Sequence, residues 1–341
     1  MKNTKFIQII IINVTNVIKN ILYKEDKMNI KVTKNIEEAN CITHNGTFHC
    51  DEIFSTIMFS KLLPEVVVCR TSDLEKSREK QYIYDVGGGE LDHHQFGGNG
   101  ERENGVKYSS CGLVWKKFGK DIIKKYTDSN VDEIWEMLDK NLIQCIDAGD
   151  NGQIPDIGVS YKLVQIANAV AEFNPNWDEE IDPDIRFEDA VKWAEIVFDN
   201  TFKSTISKLK AKGKVEKAID NSKDGIMTLE RFLPWKEVLL ESSSAKAKQI
   251  NFVIFPSNRG GYNIYTVPEK LGSFESRKLF PKEWAGLKDK ELQKVTTVET
   301  ARFCHNKCFI CAVDTKEDAL KLAIIAVSYT HLRAHETLAN L

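Results

Sequence analysis

Short apolar runs alternate with segments of helical periodicity along the first half of the chain. The runs end at polar or glycine-rich turns, which predicts buried strands. The predicted strands occupy 41–43, 66–69 and 81–84. Residues 52–63 carry apolar side chains three and four positions apart, which predicts a helix that Pro64 ends, and further helices are predicted over 111–118 and 131–146. Strands that alternate with helices are typical of an α/β fold with a parallel sheet.

The second half of the chain begins with a long helical pattern and then changes to strand-like runs. The amphipathic segment 187–217 predicts a helix that links two domains. After it, strands are predicted over 226–229, 249–255 and 261–267, and a closing helix over 315–326. We therefore expect an α/β domain over 28–221, which includes the linking helix, and a smaller α+β domain over 222–326.

The two ends of the chain differ from the rest. Residues 1–27 are rich in Ile, Asn and Lys, and polar residues interrupt their apolar stretch too often for a membrane span. Two interpretations of this leader stay open: an organelle-targeting segment, or translated upstream sequence before a true start at Met28, which we favour. Residues 327–341 resemble a translated sequencing adapter, so we expect an artefact there and exclude them from the fold.

The composition is that of an ordinary globular protein, with 42% hydrophobic and 28% charged residues. The net charge of −3 excludes a global basic field, so any binding of nucleic acid must depend on a local patch. Eight cysteines are too few for a disulfide scaffold, which favours free thiols in a reducing compartment. We expect an intracellular protein without membrane association; cytoplasm, nucleus and mitochondrion are equally compatible, and oligomeric partners are not predicted.

Histidines and carboxylates cluster near the predicted ends of strands. Four of the five histidines outside the adapter-like tail lie in two such clusters. His44 and Asp85 each follow a predicted strand, so both are expected at the edge of the sheet where ligands collect. Histidine with carboxylate is the ligand set of Mn, Mg, Zn or Fe, and two adjacent ions need about six to eight such ligands. The candidate ligands are His44, His49, Asp51, Asp85, His93 and Asp147.

Six segments carry a recognisable pattern and together span nearly all of 40–326. They are THNGTFHCDE (43–52), YDVGGGELDHHQFGG (84–98), YSSCGLVWKKFG (108–119), CIDAGDNG (145–152), FESRKLFPKEWAGLKD (274–289) and FCHNKCFICAVDTKEDALKLA (303–323). In these segments the chain resembles the melanocyte-proliferating-gene family of metal-dependent hydrolases and 3′-5′ RNA exonucleases, within the DHH phosphoesterase superfamily. The resemblance implies a parallel-sheet catalytic domain followed by a domain that grips the substrate phosphates.

The resemblance also implies roles for the clustered residues around two divalent ions. Asp85 corresponds to a bridging carboxylate, and Asp92 to a residue that orients a ligating histidine. His94 corresponds either to a substrate-facing group or to a residue that supports the metal ligands. The superfamily more often has Asp where this chain has His49, which shifts the expected metal from Mg towards Mn or Zn; we expect Mn. Asp150 is interpreted as a turn residue. The residues matched to metal ligands are His44, His49, Asp51, Asp85, His93 and Asp147.

In the second domain, Arg277 and Lys278 match the Ser-Arg-Lys motif of the family and are candidate phosphate contacts, although a solvated face is an equal alternative. His305, by resemblance, and Arg259, beside a glycine pair, are further candidates for substrate binding. Cys304, Cys308 and Cys311 crowd around His305, but a zinc knuckle needs a second ligand pair, so structural thiols are expected.

These expectations combine into one hypothesis. The protein is predicted to be a dinuclear-metal phosphodiesterase that releases nucleotides from the 3′ end of RNA with a metal-activated water, at a site between its two domains. Two alternatives remain. One is a small-molecule phosphohydrolase acting on pyrophosphate or an oligonucleotide, and the other is a non-catalytic RNA-binding protein that retains its metals.

Overall fold

The computed structural model describes residues 29–77, 80–155 and 158–339 of the chain. The leader predicted over 1–27 lies outside these residues. The chain divides into two compact units, and the division falls between Thr205 and Ile206. Each unit contains its own sheet and its own apolar core.

The first unit is built on a four-stranded parallel sheet. Its strands follow the order β1-β3-β2-β4, so the chain crosses over between neighbours as it does in α/β folds. This arrangement confirms the predicted parallel sheet. The valine-rich third strand has both faces covered, and its Val66 and Val68 are fully buried. The strands are β1 (Ile30–Thr33), β2 (Cys41–Thr43), β3 (Val66–Arg70) and β4 (Tyr82–Ile83).

Helices surround this sheet. The first, Cys50–Leu62, is buried on nearly every side, with Phe54, Ile57 and Phe59 fully covered, and it packs against the helix Ser110–Lys124. A π-helical segment, Asp139–Ile143, joins the fourth and fifth helices. The helices are α1 (Cys50–Leu62), α2 (Leu74–Ser77), α3 (Ser110–Lys124), α4 (Val131–Leu138), α5 (Gln144–Asp150), α6 (Ile166–Ala171) and α7 (Pro183–Asp220).

The second unit contains a mixed five-stranded sheet in the order β5-β6-β7-β9-β8, in which only β5 and β6 run parallel. It has the α+β character that was predicted. The strands are β5 (Ile226–Thr228), β6 (Phe252–Pro256), β7 (Tyr262–Thr266), β8 (Ala301–Cys304) and β9 (Ile310–Val313). The helices are α8 (Lys236–Glu241), α9 (Ala245–Gln249), α10 (Asp289–Thr296) and α11 (Lys316–Ala339).

Two predicted boundaries differ from the structure. The strand predicted from residue 249 begins at Phe252, because the residues before it form α9. The closing helix does not end at 326; it continues through Ala339, and Val327 packs against the core of the second unit. Within the part of the chain that the structure describes, no helix combines the length and apolar content needed to cross a bilayer.

The three clustered cysteines lie in the core of the second unit. Cys304 and Cys311 are register partners on β8 and β9, and all three thiols belong to the buried apolar cluster of this sheet. Cys308 has a positive φ of 54° in the turn between the strands, and its Sγ points to the carbonyl of Pro281 at 3.7 Å. These contacts fit packing thiols, and the absence of bound zinc stays a prediction.

Candidate metal centre

His44 stands directly after β2, where the loop to α1 begins. Its Nε2 lies 3.0 Å from Glu52 Oε1 and 3.3 Å from Asp85 Oδ2, and its Nδ1 lies 3.0 Å from the carbonyl oxygen of Asn45. Burial lowers the pKa of His44, but the bonds to Asp85 and Glu52 outweigh it and raise the pKa to about 10. The imidazole is therefore held between two carboxylates.

The first turn of α1 brings two buried acids to the same place. Asp51 and Glu52 are fully buried, and the positive end of the helix dipole favours carboxylates at this position. The backbone N–H of Ser110 donates to Asp51 Oδ2 at 3.2 Å, and that of His49 donates to Glu52 Oε2 at 2.8 Å. Burial, with the nearby charge of Asp85, raises the pKa of Asp51 well above its usual range.

Asp85 follows β4 and is almost completely buried, with 2% of its surface exposed. Its φ of 58° lies in the left-handed region, and its N–H donates to the carbonyl of Leu91 at 3.1 Å. Its Oδ2 faces His44 at 3.3 Å, and its Oδ1 lies 3.4 Å from His93 Nδ1. The structure thus places Asp85 between the two histidine clusters, which fits the bridging role that the resemblance implies.

Asp92 contacts His94, which is not among the predicted metal ligands, so its role in orienting a ligating histidine stays a prediction. Asp92 Oδ1 lies 2.8 Å from His94 Nδ1, and the N–H of Gly88 donates to its Oδ2 at 2.6 Å. Although burial raises the pKa of Asp92, the hydrogen bonds from Gly88 and His94 lower it below its usual value. The His94 side chain is 56% exposed, so it is held at one ring nitrogen and open to solvent elsewhere.

The two acids of α5 have different partners. Asp150, interpreted above as a turn residue, lies in the site: its Oδ2 is 2.8 Å from His93 Nε2. Burial lowers the pKa of His93, but the bond to Asp150 outweighs it and raises the pKa. The turn interpretation of Asp150 is therefore wrong.

Asp147, the predicted last ligand, is buried one helical turn earlier. Its Oδ2 lies 2.7 Å from Arg102 Nη1, and its Oδ1 accepts hydrogen bonds from Ser109 Oγ at 2.6 Å and from the N–H of Gly112 at 2.9 Å. Burial raises the pKa of Asp147 to about 6, against the opposing charge of Arg102. These partners make Asp147 a packing and charge-pairing group, and its role as a ligand stays a prediction.

The residues present fit divalent cations. One buried carboxylate oxygen of Asp51 and both of Asp85 have no hydrogen-bond partner among the described residues. Crowded buried carboxylates are unfavourable unless positive charge offsets them. Glu52 is not among the predicted ligands, although its position beside Asp51 in the first helical turn is a signal for it. Four groups have ligand atoms within 4.8 Å of one another: Asp85, Asp92, His93 and His94; His44, His49 and Glu52; His49, Asp51 and Asp150; Asp51, Glu52 and Asp85.

A cavity of about 440 Å³ opens onto these groups. Its lining includes His44, His49, Asp85 and His94, together with Thr47. A substrate in this cavity would therefore meet residues from both histidine clusters.

The predicted phosphate contacts of the second unit bind its own backbone. Arg277 Nη1 donates to the carbonyls of Ala247 at 2.7 Å and Ile250 at 3.0 Å, at the end of α9. Lys278 Nζ donates to the carbonyl of Val327 at 2.5 Å, and burial lowers the pKa of Lys278.

The other two candidates in the second unit differ in exposure. His305 is half-buried, and its Nδ1 accepts a hydrogen bond from the N–H of Lys307 at 3.1 Å. Arg259 is exposed in the turn after β6. Substrate binding by all four residues stays a prediction.

Residues 40–327 match the sequence model of a protein family. The model is named MYG1_exonuc, and its description is 'Uncharacterised protein family (UPF0160)'. The chain belongs to this family. The resemblance to the melanocyte-proliferating-gene family is thereby confirmed.

Named relatives of the family match over most of their length. The MYG1 protein of Saccharomyces cerevisiae is 31% identical, over 89% of this chain and 99% of its own. The MYG1 protein of Dictyostelium discoideum is 34% identical, over 85% and 96%, and the MYG1 exonuclease of Mus musculus is 32% identical, over 82% and 83%. Among solved structures, the pGpG-specific phosphodiesterase PggH of Vibrio cholerae matches 86% of this chain and 98% of its own, with 12% identity and a TM-score of 0.27. That score is too low to indicate a shared activity.

Proposed function

We propose that the protein is a metal-dependent phosphodiesterase that acts as a 3′-5′ exonuclease on RNA. The observation that carries the proposal is the convergence of buried carboxylates and histidines around Asp85, which lies within 3.4 Å of a histidine from each cluster. The exonuclease names of mammalian relatives support a phosphodiester substrate. RNA as the polymer and the 3′-5′ direction come from the family resemblance.

Two cations would share the acids between them. His44, His49 and Glu52 would hold one. Asp51, His93 and Asp150 would hold the other, because His93 lies 3.8 Å from Asp51 and 2.8 Å from Asp150, and Asp85 would be common to both. When bound, such cations neutralise phosphoryl charge and lower the pKa of water. Because imidazole nitrogen contributes to both groups, we propose Mn, with Zn or Mg as substitutes.

His94 is proposed to act on the substrate. Asp92 holds its Nδ1, which leaves Nε2 to hydrogen-bond a phosphoryl oxygen or to give a proton to the leaving oxygen. Its exposed ring lines the cavity, so it reaches the substrate without being buried among the acids. Asp92 fixes the orientation of the His94 ring, so Nε2 would be aligned with the atom that receives its proton.

The test replaces Asp85 with an uncharged isostere. Asp85→Asn should lower the cleavage rate of a labelled RNA in Mn by about 1000-fold or more and lower the metal content, because the common carboxylate is lost. His94→Ala should keep the metal and reduce kcat. Asp132→Asn, an exposed carboxylate on α4, is the matched control and should behave as wild type.

RNA labelled at the 3′ end and at the 5′ end distinguishes the remaining possibilities. Early release of labelled mononucleotide from the 3′ end supports the proposed direction, whereas activity on pyrophosphate or dinucleotides alone indicates a small-molecule phosphohydrolase. If Asp85→Asn retains two metals per chain and normal cleavage, the phosphodiesterase proposal is wrong. A wild-type protein that binds metal and RNA but cleaves nothing indicates the non-catalytic alternative.

A further inference from the structure

A second cavity, of about 420 Å³, lies in the first unit at the carboxyl ends of β1 and β3. Ligands in parallel α/β sheets collect at this edge. Its wall includes Lys34 after β1, Arg70 and Thr71 at the end of β3, and Asp182 and Asp184 at the start of α7. Nothing in the metal centre requires this cavity.

The loop between β2 and α1, which contains His44, forms the other wall. Asn45 and Gly46, which follow His44, line the cavity, and the N–H of Thr71 donates to the carbonyl of Thr43 at 2.9 Å. Arg70 Nη2 donates to the carbonyl of Gly46 at 2.7 Å. One loop therefore separates this cavity from the cavity that contains the metal-binding residues.

The cations of the wall are already paired. Arg70 Nη1 lies 2.9 Å from Asp184 Oδ1, and Lys34 pairs with Asp182. Lys76 lies 3.3 Å from Asp73 in the same wall. Because each positive group has its own carboxylate, the cavity does not select an anion; it offers donors and acceptors together.

Arg70 makes the shared wall rigid. Its side chain is fully buried, and its guanidinium lies 5.4 Å from the ring centre of Phe48 and 4.7 Å from that of Phe187. The stacking on the two rings and the bonds to Asp184 and Gly46 hold the guanidinium in one orientation. Arg70 thereby fixes the carbonyl of Gly46, where φ is 84°. The cavity is thus formed before a ligand arrives.

We propose that this cavity binds the nucleoside next to the phosphodiester that is cleaved. The inference rests on the proposed function, because a phosphodiester in the metal cavity carries a nucleoside on either side. A nucleoside is uncharged and has both donors and acceptors, which matches the paired wall. The carboxylates can accept from sugar hydroxyls and base N–H groups, and the volume lies in the range of small-molecule sites.

The test fills the cavity from its wall. Thr71→Trp projects a large side chain into it, and Ser72→Trp, an exposed neighbour outside the lining, is the matched control. Two substrates are compared in Mn: the dinucleoside phosphate ApA and bis(p-nitrophenyl) phosphate, which has no nucleoside. In Thr71→Trp, the ratio of kcat/KM for ApA to kcat/KM for the nitrophenyl ester should fall about tenfold, mainly through KM. In Ser72→Trp, the ratio should equal that of wild type.

The two substrates distinguish failure of the nucleoside site from failure of the proposed function. If wild type cleaves both substrates and Thr71→Trp keeps the wild-type ratio, the nucleoside site is wrong and the phosphodiesterase function stands. The same holds if Ser72→Trp lowers the ratio equally. If wild type cleaves neither substrate, the proposed function itself fails and this site falls with it. Activity of Thr71→Trp on the nitrophenyl ester shows that the variant is folded.

Discussion

Asp147 and Asp150 lie one helical turn apart on α5, yet their carboxylates have different partners. Asp147 is enclosed by Arg102, Ser109 and the backbone of Gly112, whereas Asp150 reaches His93 at 2.8 Å. The enclosed carboxylate neutralises a buried guanidinium, and the other is placed to neutralise a cation. Stability and metal binding should therefore separate cleanly at these two positions.

Asp147→Asn should lower the free energy of unfolding by about 2 kcal/mol, since it removes a charged partner from buried Arg102. Asp150→Asn should leave the free energy of unfolding of the metal-free protein nearly unchanged and weaken metal binding about tenfold or more. Urea denaturation and metal titration calorimetry measure the two quantities, and each variant is the control for the other. Metal binding lost in Asp147→Asn at unchanged stability would instead support the predicted ligand role of Asp147.

At the scale of elements, α3 and α5 approach so closely that one glycine decides their contact. A Cβ on Gly112 would lie 2.0 Å from Asp147 Oδ2 and 2.8 Å from Tyr108 Cδ1. The Asp147 carboxylate would have to move away from α3, and the hydrogen bond that the N–H of Gly112 donates to it would be lost. The packing of these helices therefore depends on the missing side chain.

Gly112→Ala should lower the free energy of unfolding by about 1–3 kcal/mol, because overpacking exceeds the gain of about 1 kcal/mol in helix propensity. Gly213→Ala, in the exposed middle of α7 with nothing within 4 Å of its added Cβ, is the control and should be slightly stabilising. Thermal and urea denaturation of both variants measure the difference. Equal stabilisation by the two substitutions would contradict the close contact.

Periodicity predicted the elements whose burial is regular and missed the others. The apolar run of β3, which precedes Arg70, and the helical spacing of α1 were predicted correctly because packing controls each of these positions. Strand β1 was missed because its sequence, IKVT, is half polar. Strands β8 and β9 were missed because their residues were interpreted as a cluster of cysteines around His305 and not as strands. The π-helical segment before α5 cannot be inferred from a period of 3.6, since it adds residues to a turn.

That segment also explains why the site was predicted only in part. His44 and Asp85 follow strands, and the ends of parallel strands meet, so their convergence was predictable. Asp147 and Asp150 lie beyond the π-helical residues, where Arg102 donates to Asp139 at 2.6 Å and 2.8 Å. The same Arg102 pairs with Asp147 at 2.7 Å, and this long-range contact cannot be read from the local sequence.

At the scale of the whole molecule, the buried acids of the described residues lie in one unit. The buried acids Asp51, Glu52 and Asp85 all belong to the first unit, whereas the core of the second unit is apolar and contains thiols. A cation that binds the acids stabilises the state in which they are assembled. The two units should therefore respond differently to metal.

Hydrogen exchange should show this difference. At a free Mn concentration about 100 times Kd, the opening free energy of α1 and β4 should rise by up to about 2.7 kcal/mol, while β6 and β7 stay unchanged. Mass spectrometry of peptides with and without EDTA makes the comparison, and Mg-free buffer without Mn is the reference. Protection gained at β8 and β9 on addition of zinc would overturn the packing role of the cysteines.

The left-handed turn at Asp85 has a consequence for the evolution of the protein. A residue other than glycine is disfavoured at φ 58°, although Asp is disfavoured less than most, and this one also buries a carboxylate. Glycine at position 85 would relieve both penalties in the metal-free protein. A population selected for thermostability alone would therefore accumulate glycine at position 85. The protein would lose its hydrolase activity and stay folded. The residue at this position should therefore respond to selection for hydrolysis and not to selection for stability.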